Sequence, residues 1–95
     1  MIQVTDQQDT ATVRITGRFD FRLIKDFHQV LARSPRTWVI DLSAVDYVDS
    51  SALGMLLLLR ERVQGDVQRI RLRGLRGQPR DVLLMAKFDR MFKLD

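Results

Sequence analysis

Apolar residues recur along the chain with two distinct periods. Ala11, Val13 and Ile15 alternate with Thr12, Arg14 and Thr16, which predicts a half-buried strand over residues 10–16. A weaker alternation over residues 2–6 predicts a second strand, and the polar Gln7, Gln8 and Asp9 between them make the pair a hairpin closed off by Gly17. The period then lengthens. Phe21, Leu23, Ile24, Phe27, Val30 and Leu31 are spaced by threes and fours, as on an amphipathic helix over about residues 22–33. Pro35 breaks that helix because it cannot donate to the helical ladder. The β-branched and aromatic residues 37–42 predict a central strand. A second helix is expected over about residues 51–64, stopped by Gly65, and a strand over residues 68–73 followed by Gly74. Pro79 suits the first turn of a third helix, whose stripe is Val82, Leu83, Ala86 and Phe88. Residues 88–92 should form a short last turn. The order β-β-α-β-α-β-α, with right-handed parallel crossovers, implies an α/β fold: a small mixed β-sheet covered by helices.

Composition narrows the class. The 95 residues, 45% hydrophobic and 29% charged, suit a single domain over residues 1–95. The longest apolar run, residues 55–59, falls far short of the roughly 20 residues of a membrane span, so no membrane insertion is expected. The first residues carry no basic stretch followed by an apolar one, which points away from secretion and towards the cytoplasm. Without cysteine there is no disulfide and no thiolate metal site. The net charge of +4 owes much to Arg60, Arg62, Arg69, Arg71, Arg73, Arg76 and Arg80. These could form a nucleic-acid or acidic-partner surface. However, Arg69, Arg71 and Arg73 alternate with Ile70 and Leu72, as on the wet side of a strand. With no aromatic among them, no nucleic acid is expected.

Candidate chemistry concentrates in Asp46-Tyr47-Val48-Asp49-Ser50-Ser51-Ala52-Leu53-Gly54, between the central strand and the second helix. Backbone N–H groups at a helix start lack partners and favour a hydroxyl or a negative charge. Ser50 is therefore either a cap or a place where phosphate is added and read, and Ser51 shares both readings. Asp49 is a cap or a partner contact. Asp20, expected at the end of the neighbouring strand, has the same two readings. Leu53 and Met55 to Leu59 surround the helix almost completely, so it is buried or leaves one side for a partner. Met55 and Leu58 are read as an exposed patch beside the serine. His28 is the only histidine and has no second ligand for a metal, so it is read as solvated or packed. A hydrolase triad of Ser50, His28 and Asp20 would lack the Gly-x-Ser-x-Gly elbow, and the chain has little room for a substrate pocket. No catalytic residue, metal or cofactor is expected.

The segment Asp49 to Gly54, preceded by Val39-Ile40-Asp41-Leu42, resembles the signature of the STAS domain, whose small free-standing members are bacterial anti-anti-sigma factors, or anti-sigma factor antagonists. The resemblance extends to the hairpin, to Gly17-Arg18-Phe19-Asp20 and to the last residues. Ala52 stands where the family has glycine. The resemblance implies that Ser50, or else Ser51, is a phosphoacceptor. It implies a partner switch: the unphosphorylated protein binds an anti-sigma factor that is also a serine kinase, a histidine-kinase-like ATPase. Phosphorylation separates the pair, and a serine phosphatase resets the cycle. The partner face would then comprise Asp20, Asp49, Ser50, Ser51, Ala52, Leu53, Met55 and Leu58, on a protein that is monomeric when free. Phosphate would add about −1.5 to −2 charge among Asp20, Asp46 and Asp49 and should change affinity more than fold. Two other readings stay open: a STAS subunit of a lipid or anion transporter held against its ATPase, and a nucleic-acid-binding domain.

Overall fold

The computed structural model describes residues 1–95. Its strands are β1 (Ile2–Gln7), β2 (Thr10–Phe19), β3 (Thr37–Val48), β4 (Ile70–Arg73) and β5 (Lys93–Leu94), and its helices α1 (Ile24–Leu31), α2 (Ser50–Arg62) and α3 (Gly77–Met85). The sheet order is β1-β2-β3-β4-β5, antiparallel between β1 and β2 and parallel throughout the rest. Each crossover lays its strand beside the previous one in the same direction. A common right hand therefore puts all three helices on one face. Burial agrees. Val13, Ile15, Ile40, Leu42, Ile70 and Leu72 face a core with Phe27, Leu56, Leu59 and Leu83, while Gln3, Thr5, Arg14, Arg71 and Arg73 are exposed on the other side. The alternating arginines of β4 do lie on the wet side of a half-buried strand.

On that open face Arg14, Asp41 and Arg73 are in register across three strands. The Asp41 carboxylate accepts from the Ser43 N–H (3.0 Å) and hydroxyl (2.6 Å), from Arg14 (3.2 Å) and from Arg73 (3.3 Å). Burial pushes its pKa up, but the Ser43 donors and Arg73 outweigh burial and hold it below the ordinary value.

The departures from the expected elements have local causes. β2 does not stop at Gly17. The register with β3 shifts at Arg14/Thr16 and at Gly17/Arg18, and Gly17, at φ +82°, lets the strand bend and continue to Phe19. β3 gains the matching length and runs to Val48. Before α1, Asp20 closes a 3-10 turn over Phe21–Leu23, so the α-helix proper starts later than the spacing predicts. Asp66 caps another such turn, Val67–Arg69, which leaves β4 only four residues. α3 begins at Gly77, two residues ahead of Pro79, and α2 begins one residue early, at Ser50. The two-residue β5 beyond the last turn was not foreseen, because a strand that short shows no alternation. The C-terminus of α1 is closed from outside. Arg62 of α2 donates to the Leu31 carbonyl (2.9 Å), the Arg33 carbonyl (3.1 Å) and the Ser34 hydroxyl (2.9 Å).

Candidate partner-binding site

β2 and β3 are parallel and end side by side, Phe19 opposite Val48. Asp20 and Asp49 therefore occupy equivalent places, each one residue beyond a strand and each at the start of a helical segment. Asp20 does lie at the neighbouring strand end, as expected. Asp49 accepts the Ala52 N–H at 3.1 Å and is the N-cap of α2. Ser50 is the first residue of the helix proper. It is exposed, and its hydroxyl is not needed as the cap.

From Ser50 a solvent-facing stripe runs down α2. Gly54, Leu57, Leu58 and Glu61 follow at the helical spacing and are all exposed, with Leu57 at 40% and Leu58 at 41%. Ala52, Met55, Leu56 and Leu59 occupy the opposite side and are buried. Two expectations need correction here. Met55 is only 2% exposed and Ala52 is fully enclosed, so neither can meet a partner. With the helix starting at Ser50, positions 52, 55, 56 and 59 turn inward together, and the burial of Ala52 leaves little space there for a larger side chain. Leu58 keeps its expected place, Ser51 and Leu53 are half-buried, and Leu57 was missed. Counting seven residues on from Ser50 would have found it. Beside α2, helix α1 and the turn before it expose Phe21 (63%) and Ile24 (41%). With His28 and Ala32 these side chains line a shallow groove rimmed by Arg22 and Lys25.

Of the three carboxylates expected around the serine, Asp20 alone is paired with cations; Asp49 accepts only a backbone N–H. The Asp20 carboxylate accepts from the Arg22 backbone N–H (3.1 Å), from Arg22 Nε (3.1 Å) and Nη2 (2.9 Å), and lies 3.5 Å from Arg18 Nε. The Arg22 fork outweighs burial and lowers the Asp20 pKa, while Asp20 raises that of Arg22. Asp20 is itself buried, so it anchors the arginines rather than presenting a charge to a partner. Arg18 also lies 4.0 Å over the Tyr47 ring.

A residue with no signature in the sequence fixes the loop from below. The last β3 residue paired with β4 is Asp41, opposite Arg73, so the end of β3 has no strand on that side. Gln78, in the first turn of α3, fills the gap. Its Oε1 accepts the Val48 N–H at 2.9 Å and its Nε2 donates to the Val48 carbonyl at 3.0 Å. The side-chain amide thus substitutes for a strand neighbour one residue before Asp49. No group of three or more His, Cys, Asp or Glu side chains is placed to hold a metal, and no helix is long and apolar enough to cross a membrane.

The family model described as "Mlab, STAS domain" matches residues 2–94. A STAS-domain containing protein of Pseudomonas aeruginosa is 42% identical over 86 residues, covering 87% of this chain and 85% of its own. Among solved structures, an anti-sigma factor antagonist from Mycobacterium paratuberculosis superposes with a TM-score of 0.85 at 26% identity, covering 99% of this chain and 83% of the other. A sulfate transporter family protein from Wolinella succinogenes gives 0.73 at 17% identity, covering 90% and 73%, a likeness of fold.

Proposed function

This chain belongs to the STAS domain family, and on that premise we propose that it is an anti-sigma factor antagonist released from its partner by phosphorylation of Ser50. The observation that carries this reading is the division of labour at the start of α2. Asp49 supplies the cap, which leaves the Ser50 hydroxyl in solvent at the head of the exposed stripe. The antagonist structure from Mycobacterium paratuberculosis, alike over nearly the whole chain, supports the partner class.

The partner is an anti-sigma factor with serine kinase activity of the histidine-kinase-like ATPase type. Unmodified, this protein offers it Gly54, Leu57 and Leu58 of α2, with Phe21 and Ile24 alongside. The partner's active site receives the Ser50 hydroxyl. The serine oxygen attacks the γ-phosphorus of ATP, the bond to the β–γ bridging oxygen breaks, ADP leaves, and the hydroxyl proton passes to a base of the kinase. The kinase supplies positioning and charge stabilisation, and this chain supplies only the nucleophile's place. The new dianion must be desolvated to stay in an apolar interface. A penalty of about 3 kcal/mol would weaken the complex on the order of 100-fold. A serine phosphatase restores the hydroxyl. Because the cycle consumes ATP, it runs in the cytoplasm.

The test is to incubate the protein with a purified anti-sigma factor of this ATPase type, ATP and Mg²⁺, map the modified residue by mass spectrometry, and measure binding by calorimetry. Phosphate on Ser50, none on the Ser50→Ala variant and roughly 100-fold weaker binding of Ser50→Asp are expected. Modification at Ser51 alone, or equal affinity of Ser50→Asp, would overturn the proposal. A tight complex with a transporter ATPase that ignores Ser50→Asp would favour the transporter-subunit reading instead.

A further inference from the structure

We propose that Arg22 is the intramolecular receptor for a phosphate on Ser50, so that the modified loop is held by an arginine–phosphate contact within the chain. The inference rests on Ser50 being the phosphoacceptor. Its grounds are the strand register and the arithmetic of charge around Asp20. Because Phe19 lies opposite Val48, the segments Asp20-Phe21-Arg22 and Asp49-Ser50 leave adjacent strands side by side, at a strand spacing of about 4.8 Å. Two guanidinium groups, Arg18 and Arg22, serve the single carboxylate of Asp20.

Arg22 has capacity to spare. A guanidinium carries five N–H donors, and Arg22 spends one on each Asp20 oxygen, through Nε and Nη2. Its side chain is 60% exposed, at the strand end where Ser50 emerges. Arg18 is less suited. It belongs to β2 itself and is stacked on Tyr47, where it stays close to Asp20 as a second counterion. Arg22 can therefore turn towards a phosphate without leaving the buried Asp20 carboxylate uncompensated. Arg–phosphate contacts are commonly bidentate and strong, whereas the remaining neighbour, Asp49, is repulsive and is held on the Ala52 N–H. Of the charged groups on β2, β3 and the turns that leave them, Arg18, Arg22, Asp20, Asp46 and Asp49, only Arg22 joins a free donor face to a position on the turn itself. Arg76 and Arg80, at the start of α3, belong to the junction on the other side of β3, and Arg76 is spent on the Ser43 carbonyl. The contact would also draw Arg22 away from the rim of the groove between Phe21 and Ile24, altering the partner face in the same step that adds charge.

The test needs neither kinase nor partner. Phosphoserine is placed at position 50 during translation, and its second ionisation is followed by ³¹P NMR between about pH 4.5 and 8. The unperturbed value is about 6. We expect it to be lowered by about half a unit or more in the otherwise unchanged protein. In Arg22→Gln the lowering should shrink to the share that the start of α2 contributes, in Arg22→Lys it should be intermediate, and in Arg18→Gln it should largely persist. The Arg22 Nε–H resonance should titrate with the phosphate, a reading that needs no variant and stands even if Arg22→Gln disturbs the turn. An ionisation unchanged by Arg22→Gln, an Arg22 resonance that ignores the phosphate, or a lowering lost in Arg18→Gln instead would each overturn the proposal. A kinase that fails to modify Ser50 would count against the partner switch and leave this titration unaffected, so the two failures are separable.

Discussion

Replacing Gln78 by alanine removes both hydrogen bonds that α3 makes to the Val48 backbone. Val48 is buried, and no strand lies beside it on the β4 side, so no neighbour takes over the lost contacts. Each bond is worth about 1 kcal/mol net, and because Gln78 is itself exposed, water can reach the Val48 backbone once the amide is gone. The loss should therefore be about 2 kcal/mol, roughly a 30-fold fall in the folding constant. For a chain of this size that is a drop in Tm of about 10 °C or more. Trp38 is the only tryptophan and is buried, so its emission reports unfolding in urea. The midpoint should fall with an unchanged slope, because the surface exposed on unfolding is nearly the same. Gln78→Glu keeps the acceptor for the Val48 N–H but sets a carboxylate oxygen against the Val48 carbonyl, so it should not restore the stability. The local reading is amide exchange. The Val48 N–H should lose its protection beyond what the global change explains, since its only bond in this region comes from α3. A loss below about 0.5 kcal/mol in Gln78→Ala, the size of an ordinary surface change, together with normal Val48 protection, would show that the amide does not hold the strand end and that the serine loop is fixed by something else.

Three further outcomes follow from particular contacts. Gly74 sits at φ +80°, and a Cβ there would meet Ser43 Cβ at 2.6 Å, so Gly74→Ala should cost more than about 2 kcal/mol in urea titration. Asp20 and Asp41 both ionise below their ordinary value near 3.8. A lowered folded pKa contributes stability that is present above that value and lost as pH falls through the folded pKa, so stability should decline below about pH 4, and Asp20→Asn with Asp41→Asn should flatten that limb in acid titrations followed by Trp38 emission. Leu58→Ser should cost no more than about 1 kcal/mol, from helix propensity and the partly covered side chain, yet weaken an anti-sigma partner about tenfold or more in calorimetry.

The fold was legible wherever burial imposes a period. Val13 and Ile15, Phe27 and Val30, and Ile70 and Leu72 each announce their element, because one side of it must enter the core. Legibility failed where a side chain or a glycine overrides the period. A glycine inside a run usually ends a strand, but Gly17 bends β2 and lets it continue, and β3 lengthens to match. Asp20 and Asp66 turn the chain through 3-10 geometry where propensity alone would begin a helix or a strand. α2 misled in another way. Its run of leucines hides the burial face, since Leu57 and Leu58 look like core residues until the start of the helix is fixed at Ser50.

The site was half legible for a topological reason. In a parallel sheet covered on one face, every strand-to-helix junction emerges at the same edge. The junctions after β2, β3 and β4 thus bring Asp20, Asp49 and Gln78 to one end of the sheet although they are far apart in the chain. A motif confined to one junction, such as Asp49-Ser50-Ser51, can be read as a string. A residue that serves a neighbouring junction cannot. Gln78 lies 30 positions from the Val48 backbone that it completes, and nothing local marks it. Arg22 looks like an ordinary exposed helix-start residue until Asp20 is seen between two arginines. The residues that tune the serine therefore lie on the neighbouring junctions, and that is where substitutions should alter the handling of phosphate while leaving the serine motif itself intact.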